Sequence, residues 1–132
     1  MAFWLMKSEP ESYSWEDLQR DAETEWDGVR NFAARLHLRA MKPGDRGLFY
    51  HSGDIKAVVG IMEIVSDPHS DPKDADWTAV RVKPAEPVDP PVTLKAMKAE
   101  PKLADMVMLR QSRLSVSPVS DAEWKAVLAL SR

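Results

Sequence analysis

A chain of 132 residues and 14.9 kDa is expected to form one domain, residues 1–132. Folding at this size removes roughly two-thirds of the unfolded surface from water, enough for a real core. The composition is 44% apolar and 30% charged, with no cysteine; this excludes disulfides, thiolate zinc, iron–sulfur clusters and a cysteine nucleophile, and it suits the reducing cytoplasm. A net charge of −3 excludes a global attraction for nucleic acid.

The longest apolar run, Met1 to Met6, is too short for a signal-peptide core or a membrane span. Its portion from Phe3 to Met6 reads as a strand ending at Lys7, and Pro10 breaks regular structure beyond it. Ser12 or Ser14 can cap a helix through Leu18, with Glu16 and Asp17 in its first turn. Trp26-Asp27-Gly28 reads as a turn. Asn31 to Met41 reads as a helix, with Phe32, Leu36 and Ala40 on one stripe and Arg35 and Arg39 on another. Lys42-Pro43-Gly44-Asp45 stops it. Gly47–Tyr50 and Ala57–Val65 read as paired strands joined through Ser52-Gly53-Asp54.

Residues 66–76 read as a polar loop, and Trp77–Val82 as a strand. Four prolines between Pro84 and Pro91 predict an extended connector, since proline cannot sit in a central strand. Thr93 caps a short helix to Lys98. Arg113–Val116 alternates as a strand. Ser120-Asp121-Ala122-Glu123 is a capping box that opens a last helix carrying Trp124, Val127 and Leu128. Short strands mixed with helices predict an α+β domain with a mostly antiparallel or mixed sheet.

The charge is segregated. Glu9 to Asp27 carries eight acids against Arg20 alone. Gly28 to Gly44 carries Arg30, Arg35, Arg39 and Lys42 with no acid, and Thr93 to Arg113 nets +3. Two basic segments on an acidic chain can form one anion-facing surface, or merely solvated faces.

No catalytic residue is assigned. The five glycines form no phosphate loop. The three histidines lack ligand spacing, and the aspartates at 67, 71, 74 and 76 lack the calcium-loop pattern, so no metal and no cofactor is expected. His51 and Ser52 are adjacent on a strand and point to opposite faces, which argues against a serine triad with Asp54. Among the five tryptophans, Trp15, Trp77 and Trp124 fit core patterns. Trp4 and Trp26 adjoin polar clusters, Lys7-Ser8-Glu9 and Gly28-Val29-Arg30-Asn31. An aromatic wall beside donors and acceptors suits a planar heterocycle, although core filling explains tryptophans equally well.

Five ordered motifs carry a resemblance. They are Trp4-Leu5-Met6-Lys7-Ser8-Glu9-Pro10, Trp26 to Asn31, Leu38 to Asp45, Phe49-Tyr50-His51-Ser52, and Arg113 to Val119. Together they resemble the EVE domain family, PUA-like and related to YTH domains and, more distantly, to ASCH domains. The resemblance implies a small curved mixed sheet or pseudo-barrel flanked by helices. It also implies a non-catalytic reader that takes a modified, flipped base of DNA or RNA into an aromatic and polar pocket. The base-binding set is then Trp4, Ser8, Glu9, Trp26, Val29, Asn31, Tyr50, His51, Ser52 and Ser115. The phosphate-binding set is Lys7, Arg30, Arg35, Arg39 and Arg113. The partner is modified nucleic acid and the protein a monomer, with no membrane. Two departures bear on base preference: Phe32-Ala33-Ala34-Arg35-Leu36 stands where relatives often carry tyrosine, glutamine and asparagine, and Ser117 where glutamine is common.

The residue chemistry is compatible. Glu9 can accept from an exocyclic amine, Asn31 can donate and accept, and Ser8 and Ser52 can do either. Asn31 can equally be a helix cap, and Glu9 can simply pair with Arg30. The alternative function is a hydrolase of a modified nucleoside or base, with Lys7 and Glu9 as its acid–base groups.

Overall fold

The computed structural model describes residues 1–131; Arg132 lies outside them. The described chain runs β1 (Phe3–Ser8), α1 (Trp15–Asp21), β2 (Thr24–Trp26), α2 (Phe32–Ala40), β3 (Arg46–His51), β4 (Ala57–Ile64), β5 (His69–Asp71) and β6 (Asp74–Thr93). It ends with α3 (Leu94–Ala99), a 3₁₀ turn (Pro101–Leu103), α4 (Val107–Arg110), β7 (Val116–Val119) and α5 (Asp121–Ala129). The strands form one curled mixed sheet in the order β2-β6-β4-β3-β1-β7, with β5 paired to β6. β1 lies parallel to β3 and antiparallel to β7. A curled mixed sheet with helices on both faces is the architecture that the resemblance implies.

The central strands are apolar on both faces because both faces are covered. On one side, Trp4 and Met6 of β1, Phe49 of β3, and Met62 and Ile64 of β4 pack with Trp15 and Leu18 of α1 and with Ala34 and Leu38 of α2. On the other, Leu5, Leu48, Tyr50, Val58 and Ile61 pack with Met97 of α3, Met108 of α4, and Trp124 and Val127 of α5. Alternation along each strand sends neighbouring residues to different cores.

Helix starts reflect side-chain chemistry. Ser14 closes a capping box with Asp17, and Ser120 closes one with Glu123. The Thr93 hydroxyl accepts from the Ala96 amide at 3.1 Å.

The proline segment departs from expectation. Residues 84–91 are not a connector but the second half of β6, paired to β4 through bulges. β2 and β5 pair only with residues 74–82 of that strand, so its proline half has a single neighbour and no second ladder demanding the missing N–H groups. Residues 66–76, expected as loop, hold β5 and the start of β6. The late strand lies at Val116–Val119 rather than at 113–116. In α2 the expected stripe is inverted: Phe32 is 68% and Leu36 62% exposed, while Ala34 and Leu38 are buried. Trp77, expected in the core, is only half-buried and stacks on Phe32 at 5.3 Å.

Gly60 lies directly against the Trp15 ring of α1. A Cβ there would lie 2.5 Å from three atoms of the Trp15 ring. That ring is buried against Phe49 at 5.6 Å and cannot swing away freely. Gly60→Ala should therefore cost roughly 1–3 kcal/mol of stability, read as a lower urea midpoint at unchanged slope.

Candidate functional site

A cavity of about 760 Å³ opens where the end of β1, the whole of β2 and the start of the β2–α2 connection meet. The three residues of β2 put Trp26 on its wall, and the ring is 7% exposed, backed edge-on by Phe49 at 5.4 Å. Ser8, Ser12, Tyr13, Thr24, Gly28, Val29 and Ser115 complete the uncharged lining. The charged lining is mixed: Glu23, Glu25, Asp27, Lys7, Arg30, Lys73 and Arg81.

The segment Asp27–Arg30 is held by a carboxylate from far along the chain. Asp71 of β5 is 2% exposed. One of its oxygens accepts from the Gly28 amide at 2.8 Å and from the Arg30 guanidinium at 2.9 Å; the other accepts from the Lys73 amide at 2.7 Å. Burial pushes its pKa up, but the bonds from Arg30, Lys73 and Gly28 outweigh that and hold it below the usual carboxylate value. Gly28 takes a left-handed φ of 77°, which a glycine adopts without strain. Asp71 thus aims Arg30 and pins the backbone that carries Val29 into the cavity.

A second network closes the β2 edge. Arg81 pairs with Glu23 and with Glu25, and the His69 imidazole bonds Glu25 at 2.6 Å. The Glu25 hydrogen bond raises the His69 pKa. Lys73 lies 3.5 Å from Asp27. Most cations at this cavity therefore already face a carboxylate. Lys7 does not: its ammonium donates to the Ser112 carbonyl at 2.8 Å and sits 5.9 Å from the Tyr50 ring centroid.

Of the residues singled out in the sequence, six meet at this cavity: Lys7, Ser8, Trp26, Val29, Arg30 and Ser115. Tyr50 and Ser52 line a smaller cleft beside it, which shares Lys7. The others lie elsewhere. Trp4 is buried in the core, where its indole N–H donates to Asp45 at 3.1 Å. His51 is buried too; its Nε2 accepts from the Trp15 amide at 3.1 Å, and burial lowers its pKa. Asn31 is the N-cap of α2, its side-chain oxygen accepting from the Ala34 amide at 3.0 Å. Glu9 is exposed, and its backbone carbonyl accepts from the Ser12 and Tyr13 amides at 3.0 and 2.9 Å. Arg113 is exposed. Arg35 stacks its guanidinium 5.0 Å from both Phe32 and Trp77 and donates to the Asp76 carbonyl, and Arg39 donates to the Thr78 hydroxyl.

Tyr13, Glu23, Glu25 and Arg81 belong to this neighbourhood and were not singled out, and Asp71 was weighed only as a calcium ligand. Asp71 had one local signal: Asp71-Pro72-Lys73 is the pattern of a turn in which the aspartate accepts from the amide two residues on. Among the described residues, no group of three or more histidine or acidic side chains is placed to hold a metal ion, and no helix is long and apolar enough to cross a membrane.

Comparison with known proteins gives a consistent result. The EVE domain model matches residues 2–130. Mouse thymocyte nuclear protein 1 is 35% identical, over 97% of this chain and 73% of its own length. A solved protein from Rhodopseudomonas palustris is 46% identical at a TM-score of 0.94, covering 99% of this chain and 93% of that one. The human THYN1 protein, solved in complex with DNA containing 5-methylcytosine, is 32% identical at a TM-score of 0.91, covering 100% of this chain and 98% of that one. An ASCH protein from Zymomonas mobilis shares the fold alone, at 12% identity and a TM-score of 0.62 over 98% of this chain and 95% of that one. The fold, the order of the motifs and these matches lead to one assignment: the chain belongs to the EVE domain family.

Proposed function

We propose that this domain is a non-catalytic reader of a modified base in nucleic acid, DNA or RNA, and that it takes the flipped base into the Trp26 cavity. The observation that carries the reading is the cavity itself. It has the volume for a nucleobase, two aromatic residues in its lining, Trp26 and Tyr13, and hydroxyl groups from Ser8, Thr24 and Ser115 around it. The Ser8 hydroxyl donates to the Tyr13 carbonyl at 2.6 Å, which leaves its oxygen free to accept from a base edge. The carboxylates of Glu23 and Glu25 can accept from an exocyclic amine such as that of cytosine. The human THYN1 complex with 5-methylcytosine-containing DNA makes that base the first to test.

Within this reading, Lys7 and Arg30 hold the strand beside the base, and Arg35, Arg39 and Arg113 add positive surface. Trp4, His51 and Asn31 act indirectly, by fixing the core and the start of α2. The hydrolase alternative needs Lys7 and Glu9 to work together. Lys7 lines the cavity but Glu9 is not among its lining residues, so the pair is not brought together there. The setting we assign is a cytoplasmic monomer, although the mouse relative is named as a nuclear protein.

The test is equilibrium binding of short DNA and RNA strands, each with one modified base, against their unmodified counterparts, with product analysis on the same samples. Saturable preference for one modification without a new product is the expected result. Equal affinity for all strands, or turnover of a nucleoside, would overturn it.

A further inference from the structure

Beside the Trp26 cavity, the loop between β3 and β4 faces α3 across a second cleft of about 330 Å³. Its lining holds three cations, Lys7, Lys56 and Lys98, and no carboxylate. Outward it runs into a further concavity of about 400 Å³ that shares Lys56 and Lys98 and adds Lys95, with Asp54 its one acid. Among the described residues, Lys7, Lys56, Lys95 and Lys98 form no ion pair within 4.0 Å, whereas Arg30, Lys73 and Arg81 of the first cavity all do. On a protein of net charge −3, four ammonium groups lining two adjoining concavities repel one another, with Asp54 the one acid among the lining residues to offset it. An anion from outside would offset it.

The backbone is fixed around this feature. Lys56 takes a left-handed φ of 50°, rare for a lysine, and its carbonyl accepts from the Leu94 amide at 2.8 Å, which ties the loop to the start of α3. Tyr50, Ser52 and Ser112 are among the residues that line it. Lys7 lines both the first cavity and this cleft, so an anion bound here lies next to whatever occupies the first.

We infer that the Lys7–Lys56–Lys98 cleft is a phosphodiester site, holding the backbone of the strand next to the nucleotide whose base enters the Trp26 cavity. The inference rests on the proposed base-reading function for its direction, and its chemistry is that of a sequence-independent backbone contact. Lys7 stands at the junction, Lys56 and Lys98 grip the next phosphates, and Lys95 extends the path. Duplex or single strand can satisfy it, because only the phosphates are read.

The test compares wild type with a Lys56→Gln, Lys98→Gln double variant and with Lys125→Gln, an exposed α5 lysine outside the cleft. The probes are one short DNA strand with a single 5-methylcytosine, the same strand unmodified, and the free nucleoside 5-methyl-2′-deoxycytidine. The double variant should bind both strands more weakly by the same factor. Its slope of log K against log salt should shrink by roughly 0.7–0.9 for each phosphate that the removed lysines had neutralised. Its affinity for the nucleoside, which has no phosphate, should not move, and Lys125→Gln should behave as wild type. A salt slope unchanged in the double variant would overturn the phosphodiester site even where base preference persists. Absence of any base preference in wild type, with the lysine-dependent slope intact, would instead overturn the base-reading function and leave a backbone site standing.

Discussion

Replacing Asp71 by alanine should cost about 2–3 kcal/mol of folding stability, several times the cost of removing an ordinary surface ion-pair partner. The reason is the number and burial of its hydrogen bonds. The carboxylate is sequestered from water and accepts two backbone amides and a guanidinium. Alanine would strand the Gly28 and Lys73 amides, whereas Arg30, whose side chain is 37% exposed, can recover part of its loss by turning to solvent. That escape sets the expected value below the full cost of breaking a buried pair. Asp71→Asn keeps the shape but not the charge, and should cost roughly half as much. The pH dependence has a defined sign. The folded-state pKa lies below the unfolded value, so this stabilisation is complete above about pH 4 and drains away as pH falls through the folded pKa. Urea titrations at neutral and acid pH measure both effects. A loss under about 0.5 kcal/mol for Asp71→Ala would mean that the carboxylate is an ordinary surface charge.

The same residue explains where sequence reading stops. Local elements were legible because local chemistry decides them. Thr93 and Ser120 announced helix starts through their capping side chains, Ser14 was one of two candidates with Ser12, and the hairpin between β3 and β4 was visible in its apolar runs and its Ser52-Gly53-Asp54 turn. Asp71 sits in an acidic, proline-containing stretch that reads as solvated loop. Its burial comes from Gly28 and Arg30, more than forty residues away. The α2 stripe failed for a related reason. Phe32, Leu36 and Ala40 satisfy helical spacing, but the helix turns Ala34 and Leu38 inward, because small and medium side chains let it approach the sheet near Trp4 and Trp26.

The candidate site divides along the same line. Clusters contiguous in sequence, Lys7-Ser8 and Val29-Arg30, arrive at the cavity together. Trp4 and His51 belong to the same family motifs, yet strand alternation sends them into the core. Glu23, Glu25 and Arg81 could have been linked only through the β2–β6 pairing, which opposes Glu25 to Arg81 across the ladder. A three-residue strand between a helix and a turn carries too little periodicity to reveal that pairing.

Trp26 should give the largest combined effect, and the choice of substitution separates its two roles. Its ring belongs to the core beside Phe49 and also lines the cavity. Trp26→Ala removes a buried indole, so a stability loss of about 3–5 kcal/mol is expected, and any loss of binding in that variant is confounded with unfolding. Trp26→Phe keeps a planar aromatic face in a smaller volume and should cost markedly less. If the ring stacks on an inserted base, Trp26→Phe should retain most of the preference for the modified strand, while Trp26→Leu, which has no π face, should lose about 1–3 kcal/mol of binding, the scale of one base–aromatic stack. The comparison holds only where both variants are folded, which a denaturation curve for each establishes first. Equal discrimination by the folded leucine and phenylalanine variants would show that the wall is only a core boundary. The base would then have to be held by hydrogen bonds from Ser8, Thr24 and Ser115, with no contribution from the Trp26 face.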